Sequence, residues 1–166
     1  MHATMAIFNA WIDRHPMIII GATGPLNSEA RRPFIDWIHT SQDQGSLIRD
    51  YIKWDDQPGS PTAAVEAIRK GYQIACTPPC GPVYICLDAG IQEQELEGWS
   101  DADDSLRYQS PPPPPGPPTD ILGKVLEVLV NAENPLILCG RMARTKSAWD
   151  DRIKLAEKLG AKTATN

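Results

Sequence analysis

The first 25 residues narrow the possible folds more than any other stretch. Ala3, Met5, Ala6, Ile7, Phe8, Ala10, Trp11 and Ile12 leave almost no polar face on a helix over residues 3–12. A helix apolar on every side belongs inside something larger. Asp13, Arg14 and His15 form its wet end, and Pro16, lacking an N–H, stops it. Met17–Ile20 is then a run of apolar residues, the pattern of a parallel strand covered on both faces. Gly21-Ala22-Thr23-Gly24-Pro25 reads as a tight turn after it. A buried helix at residue 2 with no strand ahead of it reads as a piece cut from a longer chain.

The 166 residues have room for one ordinary domain or two small ones. A chain of this size buries roughly two-thirds of its surface. A net charge of −5 and a pI near 5.1 argue against non-specific nucleic-acid binding, which needs a basic stripe. The apolar runs are too short to span a bilayer, and no signal peptide precedes them. The expectation is a soluble, cytoplasmic protein with neither nucleic-acid nor membrane partners. Of the four cysteines, Cys86 and Cys139 lie in apolar strand-like runs, as small buried hydrophobes do. Cys76 and Cys80 have ligand-like spacing, but no second pair or nearby histidine completes a zinc site. No metal site is expected, only loop thiols in a reducing compartment.

Further along, Ser28–His39 predicts a short helix interrupted at Pro33, with Phe34, Ile35, Trp37 and Ile38 as its apolar residues. Gln44–Asp50 is a polar connector with Leu47 and Ile48 turned inward, and Tyr51–Trp54 is a second strand. Ser60-Pro61 is a helix start, a capping hydroxyl followed by proline at the first helical position. Over Pro61–Cys76, the residues Ala64, Val65, Ile68, Tyr72 and Ala75 form a stripe near the 3.6-residue period. Gly81-Pro82 leads into a third strand, Val83–Leu87, ending at Asp88. The acid pairs Asp55-Asp56 and Asp103-Asp104 read as solvated loop residues.

After Gly90 the composition changes. Residues 92–104 are acidic, and five consecutive prolines begin at Pro111. Such a run favours extended, solvated polyproline conformation, so residues 92–118 are assigned as an interdomain linker in preference to a docking motif. Residues 1–91 and 119–166 are then two separate units. In the second, Thr119 caps a helix carrying Ile121, Leu122, Val125, Leu126 and Leu129, and Leu136–Cys139 is an apolar strand. A helix over Lys146–Leu159 follows, with Gly160 at its C-terminal cap, and Ala161–Ala164 begins another strand. The fold class is α/β: parallel sheets, doubly wound, in two incomplete domains joined by a proline-rich linker.

The order of these pieces resembles the end of the pyrimidine-binding domain, and the start of the central domain, in thiamine-diphosphate enzymes of the acetolactate synthase and benzoylformate decarboxylase group. The resemblance rests on Asn9, Ala10, Trp11, Asp13 and Pro16 ahead of Met17–Ile20, and on Arg49 and Lys53 ahead of a short strand. It rests also on Gly81-Pro82-Val83 through Asp88, on Pro135–Gly140, and on Leu155–Gly160. It implies a transferase or lyase acting on 2-oxo acids by carboligation or decarboxylation, with thiamine diphosphate and Mg2+ as cofactors, in a homo-oligomer (dimer or tetramer). The family's glutamate that contacts the aminopyrimidine and its Gly-Asp-Gly magnesium motif have no counterpart here, so the segment alone is expected to be inactive. FAD in the central domain has no support, because Gly140-Arg141-Met142 departs from the glycine-richer turn of flavin-binding relatives.

The resemblance also carries three site residues. His2 occupies a position where many relatives place an asparagine near the cofactor, the alternative being a helix-start histidine bonded to backbone. His39 falls near the loop where relatives line the substrate with Phe-Gln or paired histidines, and would relay protons; otherwise it is a surface histidine. Thr40 shares that loop as a substrate-lining residue. His15 reads as a solvated helix end, and Arg31-Arg32 as exposed arginines able to meet a carboxylate. No nucleophile elbow or cysteine in an electropositive setting appears. Two rivals stand beside this reading. One is an NAD(P)-binding protein using the Gly21-Ala22-Thr23-Gly24 turn, although the third glycine is missing. The other is a non-catalytic assembly module that associates through its apolar opening helix.

Overall fold

The structure, a computed structural model, describes residues 2–95, 111–142 and 144–165. The chain divides into two compact units, Met1–Pro114 and Pro115–Asn166. Residues 96–110, which include most of the acidic part of the assigned linker and Asp103-Asp104, lie outside the described residues. Residues 111–118 are in neither helix nor strand.

The first unit contains α1 (Thr4–Ile12), β1 (Met17–Thr23), a 3-10 turn at Ser28–Ala30 and α2 (Ile35–His39). Two more 3-10 turns, Gly45–Leu47 and Arg49–Tyr51, lead to β2 (Trp54–Asp56), α3 (Pro61–Cys76), β3 (Pro82–Asp88) and α4 (Ala89–Gln92). The strands form one parallel sheet in the order β1-β3-β2. The last strand in sequence is therefore the central one, and its composition explains why. Val83 and Ile85 point to one face and are fully buried, and Gly71 of α3 lies against their methyl groups. Tyr84 and Cys86 point to the other face and cluster with Ile7 of α1, Ile48 and Ile52, with Ile19 and Tyr51 packed alongside. A helix thus covers each face of β3, the three-layer arrangement of a doubly wound α/β unit.

Helix α3 begins as predicted, with Ser60 Oγ accepting from the Ala63 N–H at 3.1 Å and proline in the first turn. Its buried line, however, is Ala67, Gly71 and Ala75, while Ile68 is exposed. The sheet selects the smallest residues because they let the helix axis approach most closely. A Cβ on Gly71 would stand 3.3 Å from both Ile85 and Val83.

Several sequence expectations are corrected. Only Ile7 and Ala10 of α1 are buried, while Met5, Trp11 and Ile12 are exposed. The helix is not interior on every side: one face packs on the sheet, and the described residues leave the other uncovered. Strand β1 is an edge, and Ile20 is 57% exposed, so that strand is not covered on both faces. It also runs through Gly21, Ala22 and Thr23, where a turn was expected. Tyr51 lies in a 3-10 turn, Leu47 is exposed while Ile48 is buried, and Asp55-Asp56 belong to β2. Around α2 the expected polarity is inverted. Phe34, Ile35, Trp37 and Ile38 are exposed, and Asp36 is buried. Phe34 adopts φ 70° and ψ −66°, the geometry of a γ-turn, and the Ile35 N–H donates to the Pro33 carbonyl at 2.9 Å. That turn sets the helix so that Asp36 faces inward.

The second unit contains α5 (Thr119–Val130), β4 (Leu136–Cys139), α6 (Lys146–Leu159) and β5 (Lys162–Thr165), with β4 and β5 parallel. Thr119 is the first helical residue rather than the cap, which is Pro118. Thr145 caps α6 by accepting from the Ala148 N–H, and Gly160 ends it at φ 57°, as its position predicted. None of the described residues in this unit is buried, and Cys139 is half-buried, not interior. Two strands present too little surface to enclose a core.

Candidate functional site

Open parallel sheets place ligands outside the carboxyl ends of their strands. Here that end is organised by side chains reaching back from the loops. Thr23, the last residue of β1, donates through Oγ1 to the Ser41 carbonyl at 3.2 Å and accepts from the Ser41 N–H at 2.8 Å. The Gly24 N–H donates to the His39 carbonyl at 3.4 Å. Residues 39–41 are thereby pinned to the end of β1. In the next strand Asp88 is buried and accepts from the Leu26 N–H at 2.6 Å and the Gly90 N–H at 2.7 Å.

A cleft of about 640 Å³ opens beside this end, between the start of α1, the edge of β1 and residues 41–48. Ile7, Ile19, Ile20 and Ile48 form its apolar wall, and Ser41, Asp43, Gln44 and Ser46 its polar side. Gln44 holds the two sides together. Its Oε1 accepts from the Tyr84 hydroxyl at 2.8 Å, and its Nε2 donates to the Ala22 carbonyl at 3.0 Å. Burial, with Cys86 beside it, pushes the Tyr84 phenol above its ordinary value, so it remains a donor. Gly21 makes the arrangement possible, because a Cβ there would overlap the Tyr84 ring.

Of the residues singled out in the sequence, none of the three lines this cleft, although two flank it. His2 is exposed next to Ala3 and Thr4, and Thr40 precedes Ser41. Thr40 Oγ1 donates to the Asp36 carbonyl and packs on Gly24, so its hydroxyl turns back on its own helix. His39 is exposed at the end of α2. Arg31 donates to the carbonyls of Pro25 (2.7 Å) and Leu26 (3.1 Å) and lies over Trp37. Arg49 and Lys53 are structural clips. Arg49 bridges Asp43 and Asp55, so Asp55 is ion-paired rather than simply solvated. Lys53 Nζ donates to the carbonyls of Ile74 and Thr77 at the end of α3. The Tyr84–Gln44 pair was missed, though an isolated glycine inside a strand pattern signals such a close approach.

The Arg32 side chain holds the Asp36 carboxylate below its usual range through bonds of 3.0 and 3.1 Å, with the Arg32 N–H adding one at 2.7 Å. A carboxylate depressed in the folded state stabilises above its unfolded value, near 3.9, and loses that contribution as pH falls through the folded value. Asp43, held by Arg49, acts in the same sense. Thermal melts should therefore fall below about pH 4. Asp36→Asn should flatten that fall, and an unchanged acid slope in the variant would contradict the assignment.

These groups do not by themselves fit thiamine diphosphate. Asp43 is engaged by Arg49 and the Ser46 N–H, Gln44 is satisfied on both atoms, and among the described residues no cluster of His, Cys, Asp or Glu could hold a metal ion. The cleft offers an apolar wall to a ring but no carboxylate free to meet it. A pyrophosphate cradle at Gly21-Ala22-Thr23-Gly24 is also ruled out: the first three are strand residues, and no α-helix opens after Gly24. Among the described residues, no helix is long and apolar enough to cross a membrane.

The fold and its strand-end cleft define an α/β protein with parallel sheets in two partial domains. No family profile matches the chain, and no curated protein matches it. Solved structures do match. A Rhodococcus jostii RHA1 thiamine diphosphate-dependent 4-hydroxybenzoylformate decarboxylase is similar over 98% of this chain, with a TM-score of 0.79 and 21% identity. A candidate thiamin diphosphate-dependent enzyme isolated from Mycobacterium smegmatis is similar over 99%, with a TM-score of 0.75 and 20% identity. The fold is that of a segment of such enzymes, and the chain spans 30% of the length of each.

Proposed function

We propose that this chain is part of a thiamine-diphosphate-dependent enzyme acting on 2-oxo acids, contributing the end of its pyrimidine-binding domain and the start of its central domain. One observation carries the reading: both units, in order, follow solved enzymes of this kind over nearly the whole chain. The R. jostii decarboxylase favours decarboxylation over carboligation as the reaction. The cofactor supplies the carbanion chemistry and the protein positions it. In the complete enzyme His2 would stand near the cofactor, Thr40 near the substrate, and His39 would relay a proton. The apolar residues left exposed on α1 support a homo-oligomeric parent, and Mg2+ is proposed as the metal.

The test is an assay of benzoylformate decarboxylation with thiamine diphosphate and Mg2+. This chain alone should stay at background, and a chain extended to the length of the solved enzymes should release CO2. Turnover by this chain alone would overturn the claim that the anchoring residues lie elsewhere. A silent extended chain would overturn the enzyme class, as would a thermal shift with NADH.

A further inference from the structure

The turn joining α3 to β3 holds a cluster for which the cofactor reading has no use. The Gly81 N–H donates to the Ala75 carbonyl at 3.1 Å, closing residues 76–80 into a tight loop. Cys76 and Cys80 stand at its two ends. Cys80 Sγ lies 3.4 Å from the Cys76 carbonyl oxygen and donates to it. Both are free thiols and partly exposed. Lys53 reaches the same loop, its Nζ 2.5 Å from the Ile74 carbonyl and 2.6 Å from that of Thr77. Burial pushes the Lys53 ammonium down, and the two sulfurs, Cys80 ahead of Cys76, pull it back up, so both lie within electrostatic reach of Nζ.

We propose that Cys76 and Cys80 are a peroxide-sensitive dithiol that closes to a disulfide within the loop, with Lys53 as the cation beside it. A disulfide needs Cα atoms about 4.4–6.8 Å apart. The Ala75–Gly81 hydrogen bond draws the two ends of the loop together, and the 3.4 Å contact sets Cys80 Sγ against the backbone of Cys76. The thiolate of one cysteine attacks a peroxide oxygen and the O–O bond breaks. Hydroxide leaves, takes a proton and becomes water, and the sulfur is left as sulfenic acid. The second thiolate attacks that sulfur, the S–O bond breaks, and a second water forms. The two thiols lose two electrons and two protons, and hydrogen peroxide is reduced to two waters. The other cysteines are placed differently. Cys86 is 2% exposed and burial pushes its thiol up, while Cys139 belongs to the second unit.

The test treats the folded chain with hydrogen peroxide, counts free thiols and maps tryptic peptides by mass spectrometry. Free thiols should fall from four to two. The peptide over residues 71–107 should become about 2 Da lighter, with fragmentation placing the link between Cys76 and Cys80. Cys80→Ser should abolish that species and leave Cys76 to gain oxygen. Lys53→Met should slow oxidation several-fold, and Lys53→Arg should restore it. Thiols that survive peroxide, or a link that forms elsewhere, overturn the proposal. An unchanged rate in a folded Lys53→Met variant removes the lysine from it.

Discussion

Ile85→Ala is expected to destabilise the first unit by about 2–5 kcal/mol, because it deletes a fully buried side chain whose surroundings close only in part. Ile85 sits on the central strand, flanked by β1 and β2 and facing Gly71 of α3. The three elements meeting there cannot all move inward at once, since β3 is hydrogen-bonded on both sides. Domains of this size are stable by only about 5–15 kcal/mol, so the loss is a large share of the total. Urea unfolding followed by tryptophan fluorescence would measure it. A midpoint within error of wild type would mean that β3 is not the packed centre of the unit.

Gly21→Val carries the second largest expected effect, about 3 kcal/mol, and runs against strand propensity. Valine suits a strand better than glycine by at most about 1 kcal/mol. Against that gain stands the Tyr84 ring, which occupies the space a side chain at position 21 would need. Overpacking of this kind costs roughly 1–3 kcal/mol. Displacing the ring also parts the Tyr84 hydroxyl from Gln44, and an unmade buried hydrogen bond adds about 1–3 kcal/mol. The loss therefore wins. Pairing Gly21→Val with Tyr84→Ala should recover part of the stability, because the smaller side chain vacates the space. Thermal denaturation of the single and double variants would show this, and a single variant as stable as wild type would refute the close approach.

Much of the architecture was readable in advance for identifiable reasons. Ser60-Pro61 announced α3 because a hydroxyl cap and a proline at the first position act within one turn. Gly160 marked the end of α6 because the left-handed conformation there suits glycine, and no distant residue is needed to produce it. Val83–Leu87 read as a strand because it is a short run apolar at every position after Gly81-Pro82. The errors share the opposite character. Helix α1 and strand β1 have the same unbroken apolarity, yet one face of each is left open by the described residues. Apolar residues show what a segment tolerates, not what arrives to cover it. In α2, four large apolar residues outweighed one aspartate in the sequence, while a γ-turn at Phe34 and the bonds from Arg32 decided which side faced in.

The site divides in the same way. The resemblance pointed to His2, His39 and Thr40, none of which lines the cleft. Gln44, Tyr84 and Gly21, which shape the cleft, are 23 to 63 positions apart in pairs and share no motif. Sequence alone determined most of the local elements, their parallel arrangement and the division into two units, because capping, periodicity and composition act over a few residues. Only the tertiary structure decided the strand order, the exposed faces, the bond between Tyr84 and Gln44 and the clip made by Lys53. Those depend on which distant surfaces meet, and contact between distant surfaces leaves no mark on local pattern.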